Sequence, residues 1–431
     1  MFITRRTVFV TALSVPLAIV VPSPWWLAGW VGFLIGFICV LDMFLSPKPD
    51  VLHIERRVPG TIRLGQSVDV EIDVLNTASR PVHAHLKDAW PPSAGAENKT
   101  MSLFLEKQGH VTLTHTLIPT RRGDRQAAPL TLRVLGPLGF AGRQWNRDIP
   151  CTVRVLPPFH SRRHLPSRLV QLREIEGRAA VMMHGQGTEF DSLRPYVIGD
   201  DVRSIDWRST ARRGEVVLRT WRPERDRRVL VIVDTARLSA VRLGDEPRLD
   251  SFIESALLLA ALASHAGDHV DVVGCDREVR ARTHGVAGDD LLHHIASEFA
   301  PVDARLIEMD WSLVWSLAQR SLTHHGLIVV LTTIESATLD SRMRKIIGTL
   351  AQQHTVVVAH AQDPALDEAI RHRDDPKDTY VAAAAEHMRS DVYQAASVLT
   401  QLGVSVVQAS PTALPPAVAD RYLELKAAGK L

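Results

Sequence analysis

Two apolar runs at the start of the chain limit its fold more than anything after them. The first covers Val8 to Val21 and contains Pro16; a break at Pro22-Ser23-Pro24 follows, and the second runs from Trp25 to Leu45. Backbone N–H and C=O groups in a bilayer must pair internally, so an apolar stretch of about 20 residues is read as a membrane helix. The second run meets that length and the first falls slightly short. Arg5-Arg6 would suit a signal peptide, but no small-residue cleavage site separates the runs, and Trp25-Trp26 resembles an interfacial anchor. A transmembrane helical hairpin over residues 1–48 is therefore expected, with residues 8–45 in the lipid. Arg5-Arg6 flank one end, Lys48 and Arg56-Arg57 the other, and the turn is uncharged. Positive-inside reasoning places both ends, and the soluble bulk, in the cytoplasm. Asp42 reads as a snorkelling interfacial residue rather than a proton relay.

The 431 residues leave room for two soluble domains. A formal net charge of +2 gives no global argument for nucleic acid. Cys39, Cys151 and Cys275 are too few and too scattered for a disulfide framework or a zinc site, which fits a reducing compartment.

Residues 51–157 change to short alternating runs: Val68–Val74, His110–Ile118, Leu130–Leu135 and Val153–Leu156, with turns at Gly60, Gly65, Gly95, Gly109 and Gly123. The pattern predicts an all-β sandwich of immunoglobulin-like type. His83, His85, His110 and His115 read as solvent-facing strand residues rather than a metal pair. Beyond them, Pro157 to Arg178 is basic, with Arg162-Arg163-His164, Arg168 and Arg173.

From Arg228 a continuous apolar run ends at Asp234, the mark of a strand buried on both faces of a parallel sheet. Helices and strands then alternate. Helices are expected at Leu249–His265, Leu291–Phe299, Leu313–Leu322, Leu339–Gln352, Thr379–Leu402 and Pro415–Ala428. Strands are expected at Val270–Cys275, Val279–Arg282, Leu327–Thr332, Thr355–Ala359 and Val404–Val407. Residues 229–431 thus form a doubly wound α/β domain whose first strand ends in Asp.

Between these regions, residues 158–228 include the run Gly185 to Trp221, in which Arg and Asp alternate and lysine is absent. Arginine grips two carboxylate oxygens at once, so this composition predicts an ion-pair lattice bracing an irregular loop, or a recognition surface. The run resembles the signature of the bacterial family called domain of unknown function 58. The matching residues are Glu189-Phe190-Asp191, Leu193-Arg194 with Tyr196, Gly199-Asp200-Asp201 with Arg203, Ile205-Asp206-Trp207 and Ala211-Arg212. Arg121-Arg122-Gly123 and Gly136-Pro137-Leu138-Gly139-Phe140 resemble turns the family places upstream. The resemblance implies a membrane-anchored chain with a von Willebrand factor A-like domain, working with a MoxR-type AAA+ ATPase in the maturation or remodelling of other proteins.

Members of the A-like fold that bind metal use Asp-x-Ser-x-Ser at the end of the first strand. Here the serine positions hold Ala236 and Leu238, which cannot ligate, and Thr333 stands where a later Asp often lies. A degenerate, metal-free site is expected, with Asp234 capping a neighbouring helix or pairing with a signature arginine. Weak Mg²⁺ binding at Asp234 is the disfavoured alternative. No P-loop or Gly-x-Ser-x-Gly elbow is present, and His293-His294 and His324-His325 lack convincing ligand spacing. The expected function is non-enzymatic: a protein-interaction module whose contact residues are Arg194, Tyr196, Gly199, Asp200, Asp201, Arg203, Asp206, Trp207 and Arg212. Neither nucleic acid nor a small-molecule substrate is expected as a partner. The alternative is a metal-dependent hydrolase using Asp200, Asp201 and Asp206.

Overall fold

The computed structural model describes every residue except 1, 21–23, 98–99, 183–188, 223–226, 287, 289 and 335–340. It divides into two compact units, Met1–Leu156 and Pro157–Leu431.

The first unit begins with a two-residue strand, β1 (Phe2–Ile3), then helices α1 (Arg5–Val20) and α2 (Pro24–Leu45), which contact one another. One stretch of α2, Ala28–Leu45, is long and apolar enough to cross a membrane, and little of it is covered by protein. Ten strands follow: β2 (Leu52–Arg57), β3 (Thr61–Arg63), β4 (Val68–Asn76), β5 (Val82–Lys87), β6 (Thr100–Leu105), β7 (His110–Leu117), β8 (Gly123–Gln126), β9 (Leu130–Leu135), β10 (Ala141–Arg147) and β11 (Thr152–Leu156). They form sheets ordered β1-β10-β9-β5-β6, β2-β4-β7 and β3-β11-β8. Period-2 burial along β2, β4 and β5 turns alternate apolar side chains into one shared core, including Leu52, Ile72, Leu86, Leu105, Leu132 and Val155.

Two charged residues differ from their sequence reading. Asp42 is not a snorkelling residue: it is fully buried (0% exposed), and its carboxylate accepts the backbone N–H groups of Leu138 (2.8 Å), Phe140 (2.8 Å) and Ala141 (2.9 Å). The Gly136–Phe140 turn is shaped to receive it. A Cβ on Gly136 would lie 2.2 Å from an Asp42 oxygen, and Gly139 takes φ +75°. The end of α2 is thereby fastened to the sandwich, helped by Arg143 Nε donating to the Met43 carbonyl at 3.1 Å. Arg56, counted above among the cytoplasmic flanking charges, is instead buried in an ion pair with Asp88. Asp88 also accepts from Trp90 Nε1 (2.7 Å) and meets His115 Nε2 at 2.8 Å, so His115 is not solvent-facing either. Buried charges persist when paired and hydrogen-bonded on several sides.

The second unit opens with α3 (Leu165–Met182), followed by β12 (Glu189–Pro195), α4 (Trp207–Arg213) and β13 (Val217–Arg222). Then come β14 (Arg228–Asp234), the small hairpin β15 (Arg242–Leu243) and β16 (Glu246–Pro247), α5 (Arg248–His265), β17 (His269–Cys275), β18 (Val279–Thr283), α6 (Asp290–Phe299), α7 (Trp311–Ser321), β19 (Leu327–Leu331), α8 (Ser341–Gln353), β20 (Thr355–Ala361), α9 (Pro364–Arg371), α10 (Pro376–Gln401), β21 (Ser405–Ala409) and α11 (Leu414–Ala427). Six strands form one sheet in the order β18-β17-β14-β19-β20-β21, parallel except for the edge strand β18. The chain winds outward in both directions from β14, whose residues Val229–Val233 are all buried. The carboxyl ends of β14 and β19 therefore flank the point where the winding reverses, the usual place for a site in such sheets. The basic segment before the signature contributes to this unit: α3 packs on α5 and α11, and Arg168 pairs with Asp420 at 2.8 Å.

Candidate functional site

The signature folds into a β-hairpin. β12 and β13 pair antiparallel from Glu189↔Arg222 to Pro195↔Val217, and the intervening chain forms a 3-10 turn (Val202–Ser204) and α4 at the far end. Of the signature, residues 185–188 and the side chains of Glu189, Phe190, Asp191, Ser192, Thr220 and Trp221 lie outside the described set.

Asp200, Asp201 and Asp206 each have a local task. Asp200 takes Arg194 in a two-pronged pair, with Nη1 at 2.8 Å and Nη2 at 2.7 Å, and accepts the Val197 N–H at 2.9 Å. These bonds hold its carboxyl below the usual carboxylate range, with Arg194 the main cause. Gly199, at φ +110°, makes the turn that lets Asp200 face back. Asp201 caps the 3-10 turn by accepting the Arg203 N–H at 2.9 Å. Asp206 caps α4 through the Ser209 N–H (2.9 Å) and pairs with Arg219 Nε on β13 (2.7 Å). The Ser209 amide, then Arg219, lower its pKa. Gly214, at φ +76°, closes α4. Tyr196 is half-buried and its N–H donates to the Val216 carbonyl at 2.8 Å.

The expected lattice is thus present for Arg194, Asp200 and Asp206, but the arginine opposite Asp206 is Arg219, which lies thirteen residues further on and is absent from the expected set. Arg203 and Arg212 have no ion-pair partner among the described residues. Asp200, Asp201 and Asp206 each answer to different donors, and no group of three His, Cys, Asp or Glu residues that could hold a metal occurs among the described residues.

The second candidate lies at the carboxyl edge of the sheet. Asp234 is buried; it accepts the Ala236 N–H (2.8 Å) and the Thr332 hydroxyl (2.6 Å). Among the described residues it neither caps a helix nor meets a signature arginine, the two roles the sequence suggested. The charge nearby comes from Arg248, the first residue of α5, which is buried and donates to the Leu238 carbonyl (3.1 Å) and the Thr333 hydroxyl (2.9 Å). Burial raises the Asp234 pKa, while Thr332, Ala236 and Arg248 oppose it. Asp276, fully buried on the neighbouring strand end, accepts from Thr235 Oγ1 at 3.2 Å. Next to Thr333, the Ile334 N–H donates to Nδ1 of buried His360 at 3.2 Å, and burial pushes that imidazole down to about 3. The A-like fold would imply Mg²⁺ here, and the residues do not fit it. Ala236 lends only its N–H, Leu238 only its carbonyl, and the Thr333 hydroxyl and Leu238 carbonyl already serve a guanidinium. A fixed cation against these oxygens disfavours a second one. Arg248, Thr332, Asp276 and His360 escaped sequence reading because nothing local marks them; the nearer arginine in sequence, Arg237, faces outward to Glu308 at 3.5 Å.

A family model described as protein of unknown function DUF58 matches residues 192–397, which includes most of the signature hairpin and the sheet from β14 to β20. No curated protein matches the chain. Among solved structures, a CARDB domain from Pyrococcus furiosus, determined in complex with di-metal ions, is 15% identical; the match covers 26% of this chain and 91% of that one at a TM-score of 0.19. An Escherichia coli alpha-2-macroglobulin fragment is 15% identical over 26% of this chain and 16% of that one, with a TM-score of 0.21. A FixG-related protein from Vibrio parahaemolyticus is 8% identical over 25% of this chain and 97% of that one, with a TM-score of 0.18. Likenesses of this size carry no functional argument.

Proposed function

We propose that this chain, which belongs through residues 192–397 to the family of protein of unknown function DUF58, is a membrane-anchored, non-enzymatic protein-interaction module. In this reading α1 and α2 are a transmembrane hairpin with both soluble units in the cytoplasm. The first unit is an immunoglobulin-like spacer, and the sheet of the second is a von Willebrand factor A-like domain that needs no metal. The partner is a MoxR-type AAA+ ATPase, and the pair remodels or matures other protein complexes.

The observation that carries the reading is the division of labour in the signature hairpin. Asp200, Asp201 and Asp206 are spent on internal caps and pairs, which makes them internal supports rather than a convergent acidic centre. Trp207 remains 68% exposed and Arg203 and Arg212 are exposed in the same segment, and Trp and Arg are the side chains that most often anchor interfaces. The strand order of the sheet, with one antiparallel edge, supports the A-like assignment. Co-purification from detergent-solubilised membranes tests the partner. The ATPase should accompany wild type and be lost with Arg203→Glu/Trp207→Ala, two side chains outside the hairpin's internal bonds. Retention of the ATPase by that variant would place the contact elsewhere.

A further inference from the structure

The far end of the signature hairpin carries a feature the Arg/Asp pattern hid. Val197, Ile198 and Val202 are exposed around the Gly199 turn, Ile198 to 96%, and Trp207 follows at the start of α4. Four exposed large apolar residues within eleven positions are more than an isolated surface contact. The hairpin also packs chiefly on itself, through β12 against β13 and through β13 against the 3-10 turn and α4. A two-stranded sheet is marginal alone and gains from being covered.

Charge says what covers it. Residues 193–219 hold six arginines and four carboxylates. Arg194 and Arg219 are neutralised by Asp200 and Asp206. Arg203, Arg208, Arg212 and Arg213 have no ion-pair partner among the described residues, against Asp201 and Glu215 only. Arg208 and Arg212, four residues apart on α4, share one helix face. We infer that the far end of the hairpin, where Val197, Ile198, Val202 and Trp207 are exposed and Arg203, Arg208 and Arg212 follow close in sequence, is a docking surface for an acidic protein segment bearing apolar side chains. This rests on the protein-interaction reading and names the chemistry of its partner. An anionic lipid surface shares the apolar and basic preferences. It fits less well, because the exposed Asp201 lies between Ile198 and Val202 in sequence and would meet phosphate of its own sign. A protein can place a donor there.

The test is site-specific photo-crosslinking on the full chain in native membranes. A benzoylphenylalanine replaces Ile198, with a control at Tyr380 of α10, which is also open to solvent at 79% exposure. The adduct is sequenced by mass spectrometry, with and without Arg203→Glu/Arg208→Glu/Arg212→Glu. Amide exchange of Tyr196 and Asp206, whose N–H groups bond Val216 and Val217, reports whether the hairpin survives those changes. The expected result is a protein adduct at a segment where Asp and Glu outnumber Lys and Arg, reduced at least ten-fold by charge reversal in a folded hairpin. An adduct with lipid alone, an adduct with a neutral or basic segment, insensitivity to charge reversal, or no adduct above the Tyr380 control would overturn the inference. An acidic segment from a protein other than an AAA+ ATPase would support the docking chemistry and reject the MoxR-type partner.

Discussion

Replacing Asp42 by alanine should loosen the junction between the apolar helix and the sandwich while leaving both elements formed. Asp42 accepts three backbone N–H groups, from Leu138, Phe140 and Ala141, at 2.8, 2.8 and 2.9 Å, and is itself fully buried. A buried donor left unpaired costs about 1–3 kcal/mol, and neighbouring losses do not add fully, so the turn should lose roughly 3–6 kcal/mol. At about 1.4 kcal/mol per decade, this corresponds to a local opening equilibrium raised about 10²- to 10⁴-fold. The Asp42→Asn change keeps one acceptor oxygen but sets an amide against the remaining donors, so it should give roughly half the effect in free energy. Hydrogen–deuterium exchange of the peptide spanning 136–142, in nanodiscs, reads this directly. The amides of β4, on another sheet, serve as the internal control. Unchanged protection of the Leu138, Phe140 and Ala141 amides in Asp42→Ala would refute the argument, because it would mean that the carboxylate does not hold the turn.

Three further outcomes follow from the same physical reasoning. The Asp206 carboxyl is depressed in the folded hairpin by the Ser209 amide and then Arg219, so its contribution is full above the ordinary value of 3.8 and is lost as pH falls through the folded value; Asp206→Asn should remove that acid sensitivity from the exchange of the α4 amides. His360 stays neutral when folded, down to about 3, but takes a proton below 6.5 when unfolded. Its presence should therefore lower stability as pH falls through that window, by up to about 1.4 kcal/mol per pH unit, and a thermal-shift series from pH 7.5 to 5 should show a smaller loss for His360→Asn. Arg248→Met removes the donor that serves the Leu238 carbonyl and the Thr333 hydroxyl, and should cost about 1–3 kcal/mol for each buried acceptor left unpaired; Asp234→Asn in the same chain should recover part of it, and millimolar Mg²⁺ should not move the wild-type melting temperature.

How much of this is legible in the sequence depends on the range of the interactions involved. Parallel strands buried on both faces declare themselves as unbroken apolar runs, so β14, β17, β19 and β20 can be read to within two residues at each end. Strand β2 escapes, because an edge strand reading Leu-His-Ile-Glu-Arg-Arg carries only two apolar residues, and β5 is read only through His83 and His85. Helix α3 reads only as a basic stretch, since its apolar residues pack on α5 and α11 far along the chain. In the site, the Arg194–Asp200 pair spans six residues and is visible as an alternation of charge. The Asp206–Arg219 pair needs the hairpin register, and Arg248 needs α5 to start at the sheet's carboxyl edge. Asp42 is the extreme case: its partners are 96 to 99 residues away, and no local pattern separates a lipid-facing carboxylate from one that enters a turn. The exposed tip is hidden for the opposite reason. Val197, Ile198 and Val202 are ordinary apolar residues in sequence and become informative only when seen uncovered.

The most direct test of the interaction module is the affinity of a purified MoxR-type ATPase for the full chain in nanodiscs, measured by biolayer interferometry. Wild type is compared with Trp207→Ala/Arg203→Glu and with Tyr380→Ala as a distant surface control. Saturable binding, weakened at least ten-fold by the signature variant and unaffected by the control, is the expected result. Binding of equal strength to all three chains, or none to wild type, would contradict an interface at the signature hairpin.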